Sequence, residues 1–251
     1  MNAYGKILIV ALIGVSVSMA NSFLDEQRKA ERVRFAEEQK SSVIEPLFKA
    51  KGLVANASEI LIQVFKLDGE MEIWARAAHS QQAFQKLTTY AICASSGEIG
   101  PKRQAGDGQV PEGVYHIERF NPWSNYHLSL GINYPNASDR KRSKASDLGG
   151  DIFIHGNCVT IGCMPMTDDK IREIYLMAIL ARDAGQKEIP VYIYPTRMIP
   201  QNLLSIRHDY SDDKDRLMLW RELQAVYDAF ASKHLPPQVS IGGNGEYVVG
   251  K

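Results

Sequence analysis

Several things are scarce in this 251-residue chain, and each scarcity excludes something. Cysteine occurs only three times, too rarely for a small scaffold stapled by disulfides. An excess of charge of either sign is missing, since 29 Lys+Arg stand against 29 Asp+Glu. A protein that holds a polyanion through its bulk field needs a basic excess, so no nucleic-acid partner is expected. Nineteen glycines and eleven prolines are too few for a low-complexity or collagen-like chain. Long hydrophobic runs are absent except for the uncharged stretch from Ile7 to Ala20. That stretch falls short of the roughly 20 apolar residues a membrane-spanning helix needs. What is present is ordinary globular material, 45% hydrophobic and 23% charged. It suffices for one large domain or two small ones with a sizeable core.

The short run follows the cation Lys6 and ends in Ser18-Met19-Ala20, a small-x-small cleavage pattern. Residues 1–20 are therefore expected to be a signal peptide or anchor, which places the protein outside the cytoplasm. Membrane attachment is expected only through that segment if it stays uncleaved. Residues 21–56 intersperse acids with bases and read as a charged helical linker with a solvated surface.

From residue 59 the pattern turns strand-like. Ile60-Leu61-Ile62-Gln63-Val64-Phe65 precedes the turn signal Asp68-Gly69, and Met71-Glu72-Ile73-Trp74 follows it. Further strands are expected over 89–94, 113–118, 126–132, 151–155 and 190–194. Two helices are clearer. Thr167 can cap one that carries Asp168 and Asp169 in its first turn, an apolar stripe of Ile171, Ile174, Tyr175 and Ala178, and a stop at Gly185. The other spans about 213–233 with Leu217, Trp220, Leu223 and Phe230 on one side, a stripe suited to packing on the main domain. The run Arg140-Lys141-Arg142-Ser143-Lys144 reads as a solvated loop or as an attractor for carboxylates.

The chemistry concentrates in one stretch that contains His155-Gly156-Asn157-Cys158, then Thr160-Ile161-Gly162-Cys163, and ends at Thr167. A strand delivers His155 at its end, and Cys163 lies shortly before a helix cap. A thiol near a helix N-terminus with imidazole nearby has surroundings that favour thiolate. Such a pair suits nucleophilic catalysis, with imidazole moving the proton. Gly162 offers an unobstructed approach, and nearby backbone N–H groups can hold an oxyanion. Spacing alone leaves two other readings open. One is purely structural. The other is a metal site of His155, Cys158 and Cys163, which lacks the fourth ligand a closed zinc site needs.

The sequence also resembles a known family at these residues. IHGNCVTIGCMPMTD is similar to the His-Gly…Ser/Thr-x-Gly-Cys signature of the L,D-transpeptidase (YkuD-type) catalytic domain, and more closely to its YafK-like murein branch. SSGEIGPK at 95–102 and GDGQVPEGVY at 106–115 resemble two further blocks of that family, as do Asn121-Pro122, Tyr134-Pro135-Asn136 and Asp139-Arg140. The resemblance implies an α+β fold, a β-rich mixed-sheet catalytic domain over 57–196, with residues 197–251 as a C-terminal helical extension.

It further implies Cys163 as nucleophile, His155 as general base and acid, Gly162 in the oxyanion hole and Thr160 ordering the loop. No cofactor and no metal are implied. Pro165 stands where many members carry Arg, so carboxylate recognition is expected from Arg103 or Arg140, with Gly156 also at the substrate. The implied function is an exported peptidoglycan L,D-transpeptidase that passes through a thioester on the stem-peptide diamino acid. The alternatives are a hydrolase of the same fold, cleaving stem peptides or releasing wall-linked proteins, and a non-catalytic wall-binding module. Expected partners are the peptidoglycan stem peptide and a wall-linked protein. With one catalytic thiol in an exported protein, Cys93 and Cys158 remain either a disulfide pair or two buried free thiols.

Overall fold

A predominantly apolar run without regular polar alternation, here interrupted only by Gln63, is the mark of a strand covered on both faces. In the computed structural model, which describes residues 22–250, the run at 60–65 is such a strand, β1 (Ser58–Phe65). It lies inside an eight-stranded mixed sheet, antiparallel to β2 (Glu70–Ala77) and parallel to β8 (Ile189–Tyr194). Outward from β2 comes β3 (Gln85–Ala91). On the other side, β8 pairs with β4 (Gly113–Asn121), followed by β5 (Ser129–Ile132), β6 (Phe153–His155) and β7 (Met164–Pro165). The α+β class and mixed sheet agree with the sequence reading. The signal-peptide or anchor segment, 1–20, lies outside the described residues. Among those described, no helix is long and apolar enough to cross a membrane.

The period-two alternation of β1 and β8 sorts their side chains into two cores. Ile60, Ile62, Val64, Val191 and Ile193 face one layer, built on α4 (Asp168–Asp183). Leu61, Phe65, Tyr192 and Tyr194 face the other, built on α5 (Pro200–Asp209) and α6 (Lys214–Lys233). Trp220, Leu223 and Phe230 of α6 are all buried there. The C-terminal region is therefore the cover of one sheet face. It also carries a hairpin, β9 (Val239–Ile241) with β10 (Tyr247–Val249), that the sequence reading does not contain.

The segment 21–56 departs from the expected solvated linker. It forms α1 (Phe23–Gln27) and α2 (Glu31–Lys49), and Val33, Ala36, Ile44 and Phe48 join the core around α4. The reason is an apolar stripe at helical spacing hidden among charges on the other faces. One charge is itself buried: Lys40 pairs with Asp169 at 2.6 Å and Glu173 at 3.1 Å, both on α4. The basic run is likewise not a free loop. It closes α3 (Ala137–Arg142), and Arg142 forms a two-oxygen pair with Glu222 of α6.

Candidate active site

Strand β6 ends on His155, buried at 2% exposure, with Tyr126 lying against its ring at 4.7 Å between centroids. The imidazole Nδ1 meets the Gly156 carbonyl at 2.6 Å. A carbonyl only accepts, so Nδ1 carries the proton and Nε2 is left as a basic lone pair. Burial pushes the His155 pKa below the ordinary histidine value, against an opposing pull from that hydrogen bond. A neutral ring at neutral pH follows. Gly156 has no room for a side chain, because a Cβ there would sit 2.6 Å from Asp168 Oδ1. The same carboxylate accepts from Asn157 N at 2.8 Å, which ties the loop after His155 to the start of α4.

The chain then turns back so that β7 runs parallel to β6, with Ile154 opposite Met164 and His155 opposite Pro165. Cys163 enters just before β7, beside Phe153. Its sulfur accepts from Phe153 N at 3.4 Å and donates to the Asp151 carbonyl at 3.6 Å. Imidazole and sulfur thus each have a backbone partner, and no hydrogen bond joins the two in this structure. The expected thiolate is not the resting form. Burial pushes the Cys163 thiol up, Asp151 adds to this, and Phe153 N–H and Lys102 oppose it. The cap of α4 at Thr167 lies four residues further on, beyond the reach of a dipole that fades within a turn.

Thr160 is the hinge of the turn. Its Oγ1 accepts from Cys163 N at 2.8 Å and Gly162 N at 3.1 Å, and donates to the Cys163 carbonyl at 2.8 Å. The N–H groups expected to form an oxyanion hole are therefore committed to this hydroxyl here. Gly162 is required twice over: its φ is +135°, and a Cβ would approach the Gln109 carbonyl to 3.1 Å.

Cys93 and Cys158 are joined in a disulfide, with Cα atoms 5.5 Å apart, a normal span for such a bond. Cys163 is the free thiol. Around the bond, Cys93 N donates to the Pro165 carbonyl at 3.1 Å and Cys158 N to the Met166 carbonyl at 3.4 Å. The end of β3, the 156–163 loop and β7 are thus stitched together. With Cys158 bonded to Cys93, the trio His155, Cys158 and Cys163 is not a ligand set.

Cys163 opens onto a groove of about 190 Å³. Val64, Ile92, Ile99 and Met164 make it apolar, and Ser95, Ser96 and Glu98 line its polar side. The blocks at 95–102 and 106–115 build this wall. Asp107 is the bracket, accepting from Lys102 Nζ at 2.7 Å and from the backbone N–H groups of Arg103, Gln104 and Gln109. Burial pushes its carboxyl up, but Lys102 and those donors prevail and hold it below the usual range. Glu112 does the same on the inside, accepting from Gly100 N at 2.6 Å and Trp220 Nε1 at 2.7 Å while pairing with Lys66.

Arg103 and Arg140, the expected carboxylate readers, are not in this groove. Arg103 pairs with buried Asp139 and lines a separate cavity of about 480 Å³ toward α6. Arg140 donates to the Pro135 carbonyl and points to solvent. The capping box of α3 takes Asn136 and Asp139 for structure, and Arg140 follows them within the helix. Tyr126 and Asp168, both in contact with the His155 segment, were not singled out by sequence as site residues. Only the folded loop brings Tyr126 across from residue 155.

Comparison with known proteins places the chain among related sequences. The family described as the L,D-transpeptidase catalytic domain (YkuD) matches residues 73–193. "Putative L,D-transpeptidase YafK" of Escherichia coli strain K12 is 38% identical over 213 residues, covering 84% of this chain and 82% of that protein. Among solved structures, the helical cell shape determining protein Pgp2 of Campylobacter jejuni aligns with TM-score 0.44 and 17% identity, over 74% of this chain and 73% of that one. Bd1075 of Bdellovibrio bacteriovorus aligns with TM-score 0.38 and 24% identity, over 68% and 62%.

Proposed function

The chain belongs to the YafK-like L,D-transpeptidase (YkuD) family, and from that premise we propose that it is an exported, cysteine-dependent enzyme acting on the peptide stem of peptidoglycan in the periplasm or cell envelope. The observation that carries the reading is one free thiol at a groove, just before β7, beside the strand β6 that ends in an imidazole whose Nδ1 is already occupied.

Cys163 is the nucleophile. On substrate binding its side chain leaves the Asp151 carbonyl and turns toward His155 Nε2. As sulfur bonds to the carbonyl carbon of the stem's diamino acid, Nε2 takes the thiol proton. The oxyanion takes over the Gly162 N–H, the longer of the two donors now held by Thr160. Collapse breaks the carbon–nitrogen bond, and His155 returns its proton to the departing amine. A thioester remains. An amine from a second stem, or from a wall-linked protein, then attacks it and gives a new amide with release of the thiol.

The resting state of thiol plus neutral base, rather than a preformed ion pair, supports activation at the moment of attack. The test is incubation of purified sacculi with the wild-type protein and with Cys163→Ser, followed by mass identification of the muropeptides. Cross-linked dimers joined through diamino acids, absent with Cys163→Ser, are expected. Trimmed stems without cross-links would replace the transferase with a hydrolase of the same site. Unchanged muropeptides under wild type would sink both.

A further inference from the structure

The family match begins at residue 73, and α2 lies wholly before it. Yet one side chain of α2 reaches the rim of the candidate site. Arg32 Nη1 donates to the Ser124 carbonyl at 2.6 Å and to the His127 carbonyl at 2.8 Å, across more than ninety residues of chain. Those two carbonyls bracket Tyr126, whose ring lies on His155. The next pair, Tyr126 O and Leu128 O, accept from Gly156 N at 3.0 and 3.3 Å. The loop at 122–128 is thus gripped from one side by α2 and from the other by the residue after the imidazole.

This grip is needed. His127 holds left-handed backbone, φ 69°, a conformation that persists in a non-glycine residue only when its surroundings over-determine it. A second hold comes from Arg172 of α4, whose Nε donates to His127 Nε2 at 3.1 Å while its guanidinium stacks on Phe35 of α2. Lys40 sets the depth of α2 by pairing with Asp169 and Glu173 in the first turns of α4. The next residue back, Asp168, anchors Asn157. The 122–128 loop and the start of α4, both beside the His155 segment, are therefore registered on the same helix, α2.

We propose that Arg32 is a positioning residue for His155, acting through the 122–128 loop to press the Tyr126 ring against the imidazole. Arg32 is too far along this chain of contacts to touch substrate, and its effect is on the orientation and desolvation of the base. The titratable or charged groups around the ring are Tyr126 itself, His127 with Arg172 behind it, Asp168 at the start of α4, and Cys163 beside β6. Loosening the loop admits water to the imidazole, which moves its titration up toward the ordinary histidine value.

The kinetic half of the proposal rests on the function proposed above; the spectroscopic half does not. The experiment follows the His155 ring resonances with pH by NMR in the full chain, assigned by their loss in His155→Gln. Arg32→Ala, Tyr126→Ala and the double variant are compared, with Arg32→Lys as the conservative rescue. Arg32→Ala is expected to raise the His155 midpoint and to lower kcat about tenfold with KM within twofold, an effect worth about 1.4 kcal/mol. Arg32→Lys, able to reach one carbonyl at a time, restores part of both. The double variant should match Tyr126→Ala alone, because both changes remove one coupled contact. An unmoved His155 midpoint in Arg32→Ala, or strictly additive effects in the double variant, would overturn it. If the midpoint moves but no variant, wild type included, turns over muropeptides, the positioning role stands and the enzymatic reading falls.

Discussion

Thr160 holds Cys163 at both ends of its peptide unit, accepting from its N–H and donating to its carbonyl at 2.8 Å each. A single hydroxyl thereby fixes the backbone that carries the sulfur and also occupies the donors an oxyanion would use. Replacing it by valine keeps the shape and removes all three of its bonds, the one from Gly162 N included. Each such bond contributes about 1 kcal/mol to stability, so Thr160→Val should lower the melting temperature, and the loosened backbone under the sulfur should lower kcat by roughly tenfold to a hundredfold. Thr160→Ser keeps the hydroxyl and should stay near wild type. Single-turnover acylation, read by intact mass, distinguishes the two.

The pH dependence follows from which forms react. Under the proposed mechanism the base, His155, must be neutral, and burial lowers its pKa. Acylation should therefore rise with pH along a limb whose midpoint lies below the ordinary histidine value of about 6.5. The thiol pKa is raised, so alkylation of Cys163 by iodoacetamide, which needs free thiolate, should increase only in the alkaline range. A neutral-pH alkylation plateau would instead reveal a preformed thiolate.

The disulfide closes a loop of 65 residues in sequence. On the chain-entropy account its removal costs about 4 kcal/mol of stability. Denaturation of the Cys93→Ser/Cys158→Ser variant against wild type measures that cost. A larger fractional loss of acylation than of folded protein is also expected, because the bond stitches the 156–163 loop to β3. Equal denaturation midpoints would remove the bracing role.

Asp139 lies buried in α3, holding Arg103, Tyr115 and Asn136 N. Burial raises its pKa to about 6, only partly countered by those partners. A carboxyl whose folded value exceeds its unfolded one binds more protons when folded. Stability from this group is therefore greatest below about pH 4 and declines until about pH 6, by at most roughly 3 kcal/mol. The melting temperature of Asp139→Asn minus that of wild type should climb across this window and level off above it. A difference that is flat with pH would refute the raised value.

Much of this architecture could be read in the chain. The runs at 60–65 and 190–194 are almost wholly apolar, Gln63 excepted, because helices cover both faces, and the helix after Thr167 declares its cap and its stop. Other boundaries moved for local reasons. The strand expected over 89–94 ends at Ala91, because the chain turns off to deliver Cys93 to its disulfide. The strand expected over 126–132 begins only at Ser129, since His127 takes left-handed backbone in the loop beside His155. A strand as short as β7 carries no periodicity to detect, whereas β6 lies within the strand expected over 151–155. At the site, residue type and local order pointed to Cys163 and His155. The protonation of the sulfur was not legible, because it is set by burial and by Asp151, which depend on the fold. Arg103 and Arg140 were drawn to the substrate by charge alone, whereas Asp139 and the Pro135 carbonyl had already claimed them.

The order of strands has a consequence for biosynthesis. Strand β8 lies between β1 and β4, so the meander β1–β3 and the ribbon β4–β7 are separate half-sheets until residues 189–194 leave the ribosome. Each half then carries an unpaired inner edge, β1 on one and β4 on the other, and such edges invite misassembly. Insertion of a late-made strand between two early ones is a long-range closure, slow by topology. A nascent chain stopped before residue 189 should be sticky and protease-sensitive, and the complete one should not.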